Sequence, residues 1–362
     1  MTEPAATVTP DELGIPATFP LPKRQDWRIG FIGFGGFANA HRRAYQGVGW
    51  KIAAIADPSP AARERGQELT GAEKLYEGYP ELLADDDIDV VVLLTQPTLR
   101  EEVIAAAIKA GKPLLCEKPL ARNLAECERI VALTEKAPVP VAVSQNYRWS
   151  GVNFHVKHIV EKGLVGRPFY ASVEIHGFQD EELVDHPFYP KCEDFLTVQW
   201  NVHMIDLLRY WTGGEPQRVF ACSRRMDGQN FVGDGLLLSF VDFGPGLTGH
   251  ILHSELLRSS LGSRRCRIDG DRGSVIFDLS QEFLQLDSRE LGRGPLTLDL
   301  SGVEMPRSQA GSMGDLLISV EEGREPQVSP RRNLATMRQV LAEEECVSQG
   351  GAWQDLSAGA GG

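Results

Sequence analysis

The stretch Arg28-Ile29-Gly30-Phe31-Ile32-Gly33-Phe34-Gly35-Gly36-Phe37-Ala38 decides the fold, because an apolar run there ends in a G-x-G-x-x-A turn. A helix-compatible segment follows the turn, and the next apolar run, 52–56, ends at the acidic Asp57. A strand, a glycine-rich turn, a helix and an acid-tipped second strand are together typical of a dinucleotide-binding unit. The alternative is an ordinary strand–helix connection without a ligand, which requires all four features to coincide.

The turn predicts an NAD site. Gly33 permits a tight turn, Gly35 admits a pyrophosphate to the backbone, and Ala38 lets the helix pack against the sheet. The helix N-terminus offers free N–H groups to the phosphates. Asp57 can accept from the ribose hydroxyls and repels a 2′-phosphate, and 58–60 holds no arginine, so NAD is favoured over NADP. The predicted cofactor contacts are Gly33, Phe34, Gly35, Phe37, Ala38, Asp57, Thr95, Gln96, Glu117 and Lys118.

Length and charge limit the class of protein. A chain of 362 residues is too long for one ordinary core, so two domains are expected. The net charge of −13 argues against nucleic acid or an anionic membrane surface as a partner. No apolar run approaches the length of a membrane span. The six cysteines are scattered without metal-type spacing, which favours free thiols, no metal site and a cytoplasmic location.

The first part of the chain alternates strand-like and helix-like segments. This alternation predicts a doubly wound parallel sheet, a Rossmann-like α/β domain over 26–148, preceded by an extended arm over 1–25. The arm is expected either to be disordered or to wrap a neighbouring subunit. The predicted strands are 28–33, 51–56, 74–76, 89–95, 113–116 and 140–144, and the predicted helices are 37–48, 59–70, 79–85, 98–111 and 121–136.

After about residue 150 the pattern changes to a second α/β domain, predicted over 149–330, with a mostly antiparallel open sheet. A C-terminal helix and a flexible tail are predicted over 331–362. The predicted strands are 168–176, 217–225, 235–243, 246–255, 264–269, 273–278 and 282–286, the predicted helices are 152–163, 198–212, 315–322 and 332–348, and the Gly/Pro-rich stretch 292–314 is predicted as a loop or arm.

The second informative motif is Glu117-Lys118-Pro119, which follows a short buried strand. Ligands bind at the carboxyl edge of such sheets. A lysine at this edge can bind a substrate hydroxyl, and its charge favours a developing alkoxide. The alternative for Lys118 is a surface lysine beside a helix N-terminus.

A third group of candidates is Gln199, His203 and Asp206, which share one face of a regular helix. His203 could take a proton from a hydroxyl, or it could be a satisfied core histidine. A metal site built from this set is a poor fit. Tyr147 and Arg148 follow the last predicted parallel strand and either reach the same cleft or form hydrogen bonds in the domain linker.

Taken together, these motifs resemble the family of glucose–fructose oxidoreductase, inositol dehydrogenase and the rhizopine-catabolism (MocA) proteins. The resemblance covers about 27–348 and implies NAD-linked oxidation or reduction of a sugar, polyol or glycoside secondary alcohol. It implies that Lys118 is the catalytic lysine and His203 the acid/base. Substrate contacts are then expected from Lys118, Tyr147, Arg148, Gln199 and His203, and the open sheet is expected to mediate a homo-oligomer.

The chain departs from the family pattern at Gln199, where members with a catalytic Asp-His pair carry the aspartate, and at Asn201, which replaces a glycine. Glutamine cannot take a proton, although its carbonyl can orient an imidazole or bind a hydroxyl. The family histidine after the proline of strand four is also absent, with Arg100 nearby. Two alternatives therefore remain: NAD-assisted glycoside cleavage or epimerisation by transient oxidation, and a non-catalytic regulatory protein that binds cofactor or sugar.

Overall fold

The computed structural model describes residues 6–186, 188–280 and 283–356, which form two compact units. The first, called here the Rossmann unit, comprises Phe19–Ser150 and Met305–Met337. The second, called the sheet unit, comprises the described parts of Met1–Thr18, Gly151–Glu304 and Arg338–Gly362.

The described residues contain the following strands and helices in chain order. The strands are β1 Ala6–Val8, β2 Arg28–Ile32, β3 Lys51–Ala56, β4 Lys74–Tyr76, β5 Val90–Leu93, β6 Leu114–Glu117, β7 Val141–Ser144, β8 Pro168–His176, β9 Arg218–Arg224, β10 Leu236–Asp242, β11 Thr248–Ser254, β12 Ser263–Gly270, β13 Gly273–Asp278, β14 Leu284–Ser288, β15 Arg293–Leu298 and β16 Gln354–Asp355. The α-helices are α1 Pro10–Leu13, α2 Ala38–Gly47, α3 Pro60–Thr70, α4 Tyr79–Leu83, α5 Arg100–Lys109, α6 Leu124–Thr134, α7 Gly151–Glu161, α8 Gln179–Glu182, α9 Asn201–Thr212, α10 Ser308–Glu322 and α11 Pro330–Ser348.

The Rossmann unit is built on a parallel sheet with the strand order β4-β3-β2-β5-β6-β7, which confirms the predicted doubly wound fold. Its central strands are apolar along their length because helices cover both faces. Ile32 pairs with Ala56 and Leu93, and Glu117 pairs with Ser144. The segments that follow these strands therefore leave from the same edge of the sheet.

Helix α10 is part of the Rossmann unit, and the predicted loop over 292–314 is wrong at both ends. Strand β15 occupies the start of that stretch, and α10 begins at Ser308. Gly311 looks like a helix breaker, but a Cβ at this position would lie 2.4 Å from the Cβ of Trp149. The glycine therefore serves close packing, and Met313 and Leu317 of α10 join the core of the unit.

The sheet unit contains a ten-stranded sheet with the order β1-β15-β14-β13-β12-β8-β11-β10-β9-β16. Neighbouring strands are antiparallel except for the parallel pairs β1–β15 and β11–β8, which confirms the predicted mostly antiparallel architecture. Helices α7 and α9 pack against this sheet, and α9 is buried along almost its whole length.

The prediction of an extended arm is wrong in part, because Ala6–Val8 forms β1 and Pro10–Leu13 forms α1; a contact of the arm with a neighbouring subunit stays a prediction, and 1–5 lie outside the described range. Strand β1 extends the sheet beside β15, and Thr9 and Glu12 form a capping box on α1. Pro10 stands in the first turn of α1, where proline is compatible with a helix.

Candidate active site

The glycine-rich turn requires glycine at position 33. Gly33 has a φ of +93°, and its N–H donates to the carbonyl of Ala56 at 2.8 Å. An added Cβ would lie 3.1 Å from the Cγ2 of Thr95. A larger residue would therefore strain the backbone and crowd the segment after β5.

The space around the same turn fits a diphosphate. A Cβ added to Gly35 or Gly36 would meet no protein heavy atom within 4 Å. Helix α2 begins directly after Phe37 and has no side-chain hydrogen bond at its N-cap, whereas Ala38 is buried against the unit. Open space beside an uncapped helix N-terminus is the arrangement that binds the phosphates of a dinucleotide.

The two predicted phenylalanine contacts have different environments. Phe34 is fully buried, its N–H donates to the carboxylate of Asp57 at 2.8 Å, and its carbonyl accepts from Arg65 at 2.7 Å. Phe37 is 52% exposed, and the centroid of its ring lies 5.9 Å from Nζ of Lys118. Of the two rings, only that of Phe37 is available to a ligand.

Asp57 lies after β3, where it orders the turn; its contact with a ribose stays a prediction. Its two carboxylate oxygens accept from the N–H groups of Phe34 and Ser59, at 2.8 and 2.9 Å. Arg63, on the first turns of α3, donates to the Asp57 carbonyl at 2.6 Å. Arg63 lies beyond the stretch 58–60 that was considered for an arginine, and the first turn of α3 brings it back to Asp57.

Several buried polar atoms at the carboxyl edge of the parallel sheet have no hydrogen-bond partner among the described residues. They include the hydroxyl of Thr95, Nε and Nη1 of Arg100, and both amide atoms of Gln145. Gln96 caps the short helix that follows Thr95. Unsatisfied buried polar groups are costly, and a bound cofactor or substrate would satisfy them. Gln145 directly follows β7 and opens the stretch 145–148, which the sequence predicts either to reach the same cleft or to form hydrogen bonds in the domain linker.

Glu117 and Lys118 lie at the end of β6, and the structure places a histidine beside them that the sequence did not identify. Nε2 of His41 lies 2.6 Å from a carboxylate oxygen of Glu117, and its Nδ1 lies 2.9 Å from the Tyr45 hydroxyl. Burial acts to raise the pKa of Glu117. The hydrogen bond and charge of His41, together with the charge of Lys118, act more strongly in the opposite direction, so the pKa is lowered to about 2. Glu117 is therefore an anion at neutral pH.

Tyr147 and Arg148 lie in a short 3₁₀ helix, Asn146–Trp149, after β7. Arg148 is only 9% exposed, and its charge acts to lower the pKa of Asp315 on α10, although burial keeps that pKa raised overall. Asn146 donates to the Ser308 hydroxyl at 2.9 Å. These contacts place the 3₁₀ helix beside α10 within the Rossmann unit, and both the linker role and the substrate role of Tyr147 and Arg148 stay predictions.

In the sheet unit, Gln199 is not part of the regular helix that the sequence predicted over 198–212. It lies in a π-helical segment, Phe195–Trp200, and its N–H donates to the Asp194 carbonyl, five residues earlier, at 3.3 Å. The predicted helix therefore begins later than expected: Gln199 precedes α9, whereas His203 and Asp206 lie on it. The Gln199 amide also donates to the Asp194 carboxylate at 3.3 Å, and both residues line a cleft of about 600 Å³.

His203 and Asp206 lie on α9, one turn apart, and are 5% and 1% exposed. The nearby Asn201 donates to the carboxylate of Glu343 at 2.5 Å, and Ser239 donates to the same carboxylate at 2.6 Å. Burial raises the pKa of Glu343 to about 7 despite these hydrogen bonds. At the position where the family pattern has a glycine, this chain has Asn201, whose side chain contacts Glu343 of α11 in the core.

The described ranges hold neither a side-chain cluster suited to a metal ion nor a helix suited to a bilayer. No group of three or more His, Cys, Asp or Glu side chains there is arranged to hold a metal ion. None of the helices in this part of the chain combines the length and hydropathy needed to cross a bilayer.

Comparisons with known proteins agree with this arrangement. The family model described as "Oxidoreductase family, NAD-binding Rossmann fold" matches residues 27–145, and the "GFO/IDH/MocA C-terminal domain" model matches 154–276. The chain is 26% identical to a D-apiose dehydrogenase of Paraburkholderia graminis over 86% of this chain and 85% of the relative. It is 27% identical to a myo-inositol 2-dehydrogenase of Thermotoga maritima, over 83% and 90%.

The fold comparison points in the same direction. An oxidoreductase from Agrobacterium radiobacter, solved in complex with NAD+, L-tartaric acid and magnesium, superimposes with a TM-score of 0.82. The two chains are 23% identical, and the match covers 92% of this chain and 99% of that one. At this level of identity the likeness establishes the fold.

Proposed function

The chain belongs to the GFO/IDH/MocA oxidoreductase family, and on that premise we propose that it transfers a hydride between NAD and a secondary alcohol of a sugar, polyol or glycoside. Membership of the family makes it an NAD(P)-dependent oxidoreductase acting on CH–OH groups. The substrate class rests on the dehydrogenase relatives for D-apiose and myo-inositol.

One observation carries the proposal. The phosphate-binding turn and the Glu-Lys-Pro motif lie together, with the Phe37 ring 5.9 Å from Nζ of Lys118. A dinucleotide held at the turn would therefore have a cationic side chain close to it. When bound, NAD supplies the hydride acceptor for an alcohol carbon.

Lys118 is the group that we propose to polarise the reacting oxygen. In the oxidising direction the alcohol carbon loses a hydride and its hydroxyl loses a proton, so negative charge develops on the oxygen. A lysine ammonium that donates to this oxygen stabilises the charge more in the transition state than in the ground state.

His203 is the group that we propose to relay the proton. An imidazole can accept a hydroxyl proton near neutral pH, and the low exposure of His203 limits exchange with bulk water. The family carboxylate is missing at Gln199, but the Gln199 amide binds the carboxylate of Asp194. We propose that Gln199 and Asp194 together provide the polar contacts that orient the substrate in the sheet unit.

The first experiment is a titration of the purified protein with NAD+, followed by absorbance at the NADH band across a panel of sugars, polyols and glycosides. NADH accumulation with one class supports the proposed dehydrogenase and names the alcohol. Tight NAD+ binding without NADH, but with a changed product mass, would instead favour transient oxidation. Binding without any product would favour the regulatory alternative.

We further propose NAD rather than NADP as the cofactor, and the double substitution Asp57→Ser with Pro58→Arg tests it. The substitution removes a charge that repels a 2′-phosphate and adds a guanidinium next to Arg63, which already lies 2.6 Å from the Asp57 carbonyl. The ratio of the Kd for NADP+ to that for NAD+, measured by calorimetry, is expected to fall by about tenfold or more. A wild-type protein that binds NADP+ more tightly would contradict the assignment.

A second copy of the chain is the partner that we propose for the open face of the sheet unit. Phe240, 47% exposed, lies against His250, and His250 pairs with Tyr170 at 2.9 Å. An exposed aromatic patch of this kind is typical of an interface. Phe240→Glu is expected to lower the mass measured by light scattering, whereas Leu261→Glu, at a loop residue that is 81% exposed, should not. A monomeric wild-type protein would contradict the proposal.

We propose a cytoplasmic location for this chemistry. The six cysteines, all within the described residues, form no disulfides, as expected in a reducing compartment. Fractionation of source cells followed by detection of the protein is the direct check, and recovery outside the cytoplasm would contradict it.

A further inference from the structure

Three side chains joined by hydrogen bonds connect helix α2 to the Glu-Lys-Pro motif within the Rossmann unit. Tyr45 and His41 both lie on α2, and the Tyr45 hydroxyl is 2.9 Å from Nδ1 of His41. Nε2 of His41 is 2.6 Å from Glu117 Oε1, at the end of β6. His41 is 1% exposed, so water cannot replace it at the carboxylate without rearrangement.

The direction of the central hydrogen bond follows from the charge on Glu117. The pKa of Glu117, at about 2, keeps the side chain ionised at neutral pH, and an ionised carboxylate can only accept. Nε2 of His41 is therefore the donor. A charge-assisted bond of this length is one of the stronger contacts that a buried carboxylate makes.

The other oxygen of Glu117 is directed to the backbone of the lysine. Oε2 accepts from the N–H of Lys118 at 3.2 Å, so the carboxylate is fixed through both of its oxygens. The Coulombic interaction with Lys118 also lowers the pKa of Glu117, and the same interaction favours the charged ammonium of Lys118.

We propose that His41 is a positioning residue for Lys118, because its bond to Glu117 holds an anion in place beside the lysine. The catalytic part of this inference rests on the proposed function, whereas the electrostatic part does not. Loss of the Nε2 donor would leave the Glu117 carboxyl to take up a proton or to rotate away. Either change removes the negative charge that keeps Lys118 protonated and oriented.

The other groups around Glu117 do not replace this anion. Burial and the Glu117 charge raise the pKa of Tyr45, and burial raises the pKa of Cys116, so both are neutral at neutral pH. Ser144, opposite Glu117 on β7, contributes a neutral hydroxyl. Arg100 acts on Cys116 as a fixed positive charge.

The test compares His41→Leu, which removes the donor, with His41→Gln, whose amide keeps an N–H at the corresponding reach. The first readout is the pH dependence of Lys118 acetylation by acetic anhydride, followed by peptide mass spectrometry on the full-length protein. In His41→Leu the midpoint is expected to move down by about one pH unit, because the ammonium has lost its anionic neighbour. His41→Gln is expected to restore most of the wild-type curve.

The second readout, kcat compared with the Kd for NAD+, separates a positioning role of His41 from a purely structural one. His41→Leu is expected to lower kcat by about 10- to 100-fold, with the Kd for NAD+ nearly unchanged, and His41→Gln to recover much of that loss. A wild-type acetylation curve in His41→Leu would overturn the inference. If that variant does not fold, Glu117→Gln takes its place, with the same expected shift and the same opposing result.

Failure of the proposed function is distinguishable from failure of this inference. If the wild-type protein forms no NADH from any compound in the panel, the function fails, while the acetylation curves still decide the link between His41 and Lys118. If the wild-type protein is active and His41→Leu matches it in both readouts, only the positioning role of His41 fails.

Discussion

Lys118→Ala is expected to lower kcat by about 10³-fold while NAD+ binds with nearly unchanged affinity. The loss follows from removing a donor aimed at an oxygen on which charge develops, a contribution that typically amounts to 10²–10³-fold in turnover. Affinity for NAD+ should persist because we expect the phosphate contacts to come from the turn at Gly33–Ala38 and from the α2 N-terminus, which the substitution leaves in place.

The measurement pairs steady-state kinetics with calorimetric titration of NAD+. Lys109→Ala, at an exposed position on α5, is the matched control and should behave as the wild-type protein. Lys118→Arg should recover only part of the activity, because a guanidinium keeps the charge but not the compact geometry of the ammonium. Turnover equal to that of the wild-type protein in Lys118→Ala would remove Lys118 from the mechanism.

His203→Asn is expected to lower kcat by about 10²–10⁴-fold, the range typical of a lost general acid or base. Asparagine keeps a similar volume and polar atoms but cannot exchange a proton with a hydroxyl. In the oxidising direction the wild-type rate should fall in acid, where the imidazole is already protonated. The acidic limb of the rate profile should therefore disappear in His203→Asn, so the relative loss is greatest at neutral and higher pH.

The pH–rate profile separates this role from a structural one. His158→Asn, in the same unit, is the matched control, because His158 packs edge-on against Phe154 on α7. Its substitution should leave the profile unchanged. A His203→Asn enzyme that keeps the wild-type acidic limb and turnover would show that another group takes the proton, and Asp194 would become the first candidate to substitute.

The Rossmann fold and the glycine-rich turn were predictable from the sequence because both depend on residues that are close together along the chain. Gly33 requires a positive φ, an apolar run needs burial on both faces of a parallel sheet, and an acid after the second strand is a short-range feature. Lys118 was predictable for the same reason, since it directly follows a short strand. These features depend on residues that are close in sequence.

Some contacts that the sequence did not determine join residues far apart along the chain, and others are local but depend on how a helix is formed. His41 meets Glu117, Arg63 reaches Asp57 after a turn of α3, and α10 packs on the Rossmann sheet although it follows the sheet unit in sequence. Gln199 also lies outside the regular helix, because its N–H donates to a carbonyl five residues back instead of four.

The sequence by itself therefore determined the fold class, which the structure confirms, whereas the phosphate-binding role of the glycine-rich turn and the catalytic role of Lys118 stay predictions. Only the tertiary structure decided how the partly buried Glu117 is kept ionised, because its partner His41 comes from a different element and the energy of a partly buried carboxylate depends on that partner. Local patterns specify which backbone forms a strand or a turn. Charges in the interior depend on which distant side chains the fold places beside them.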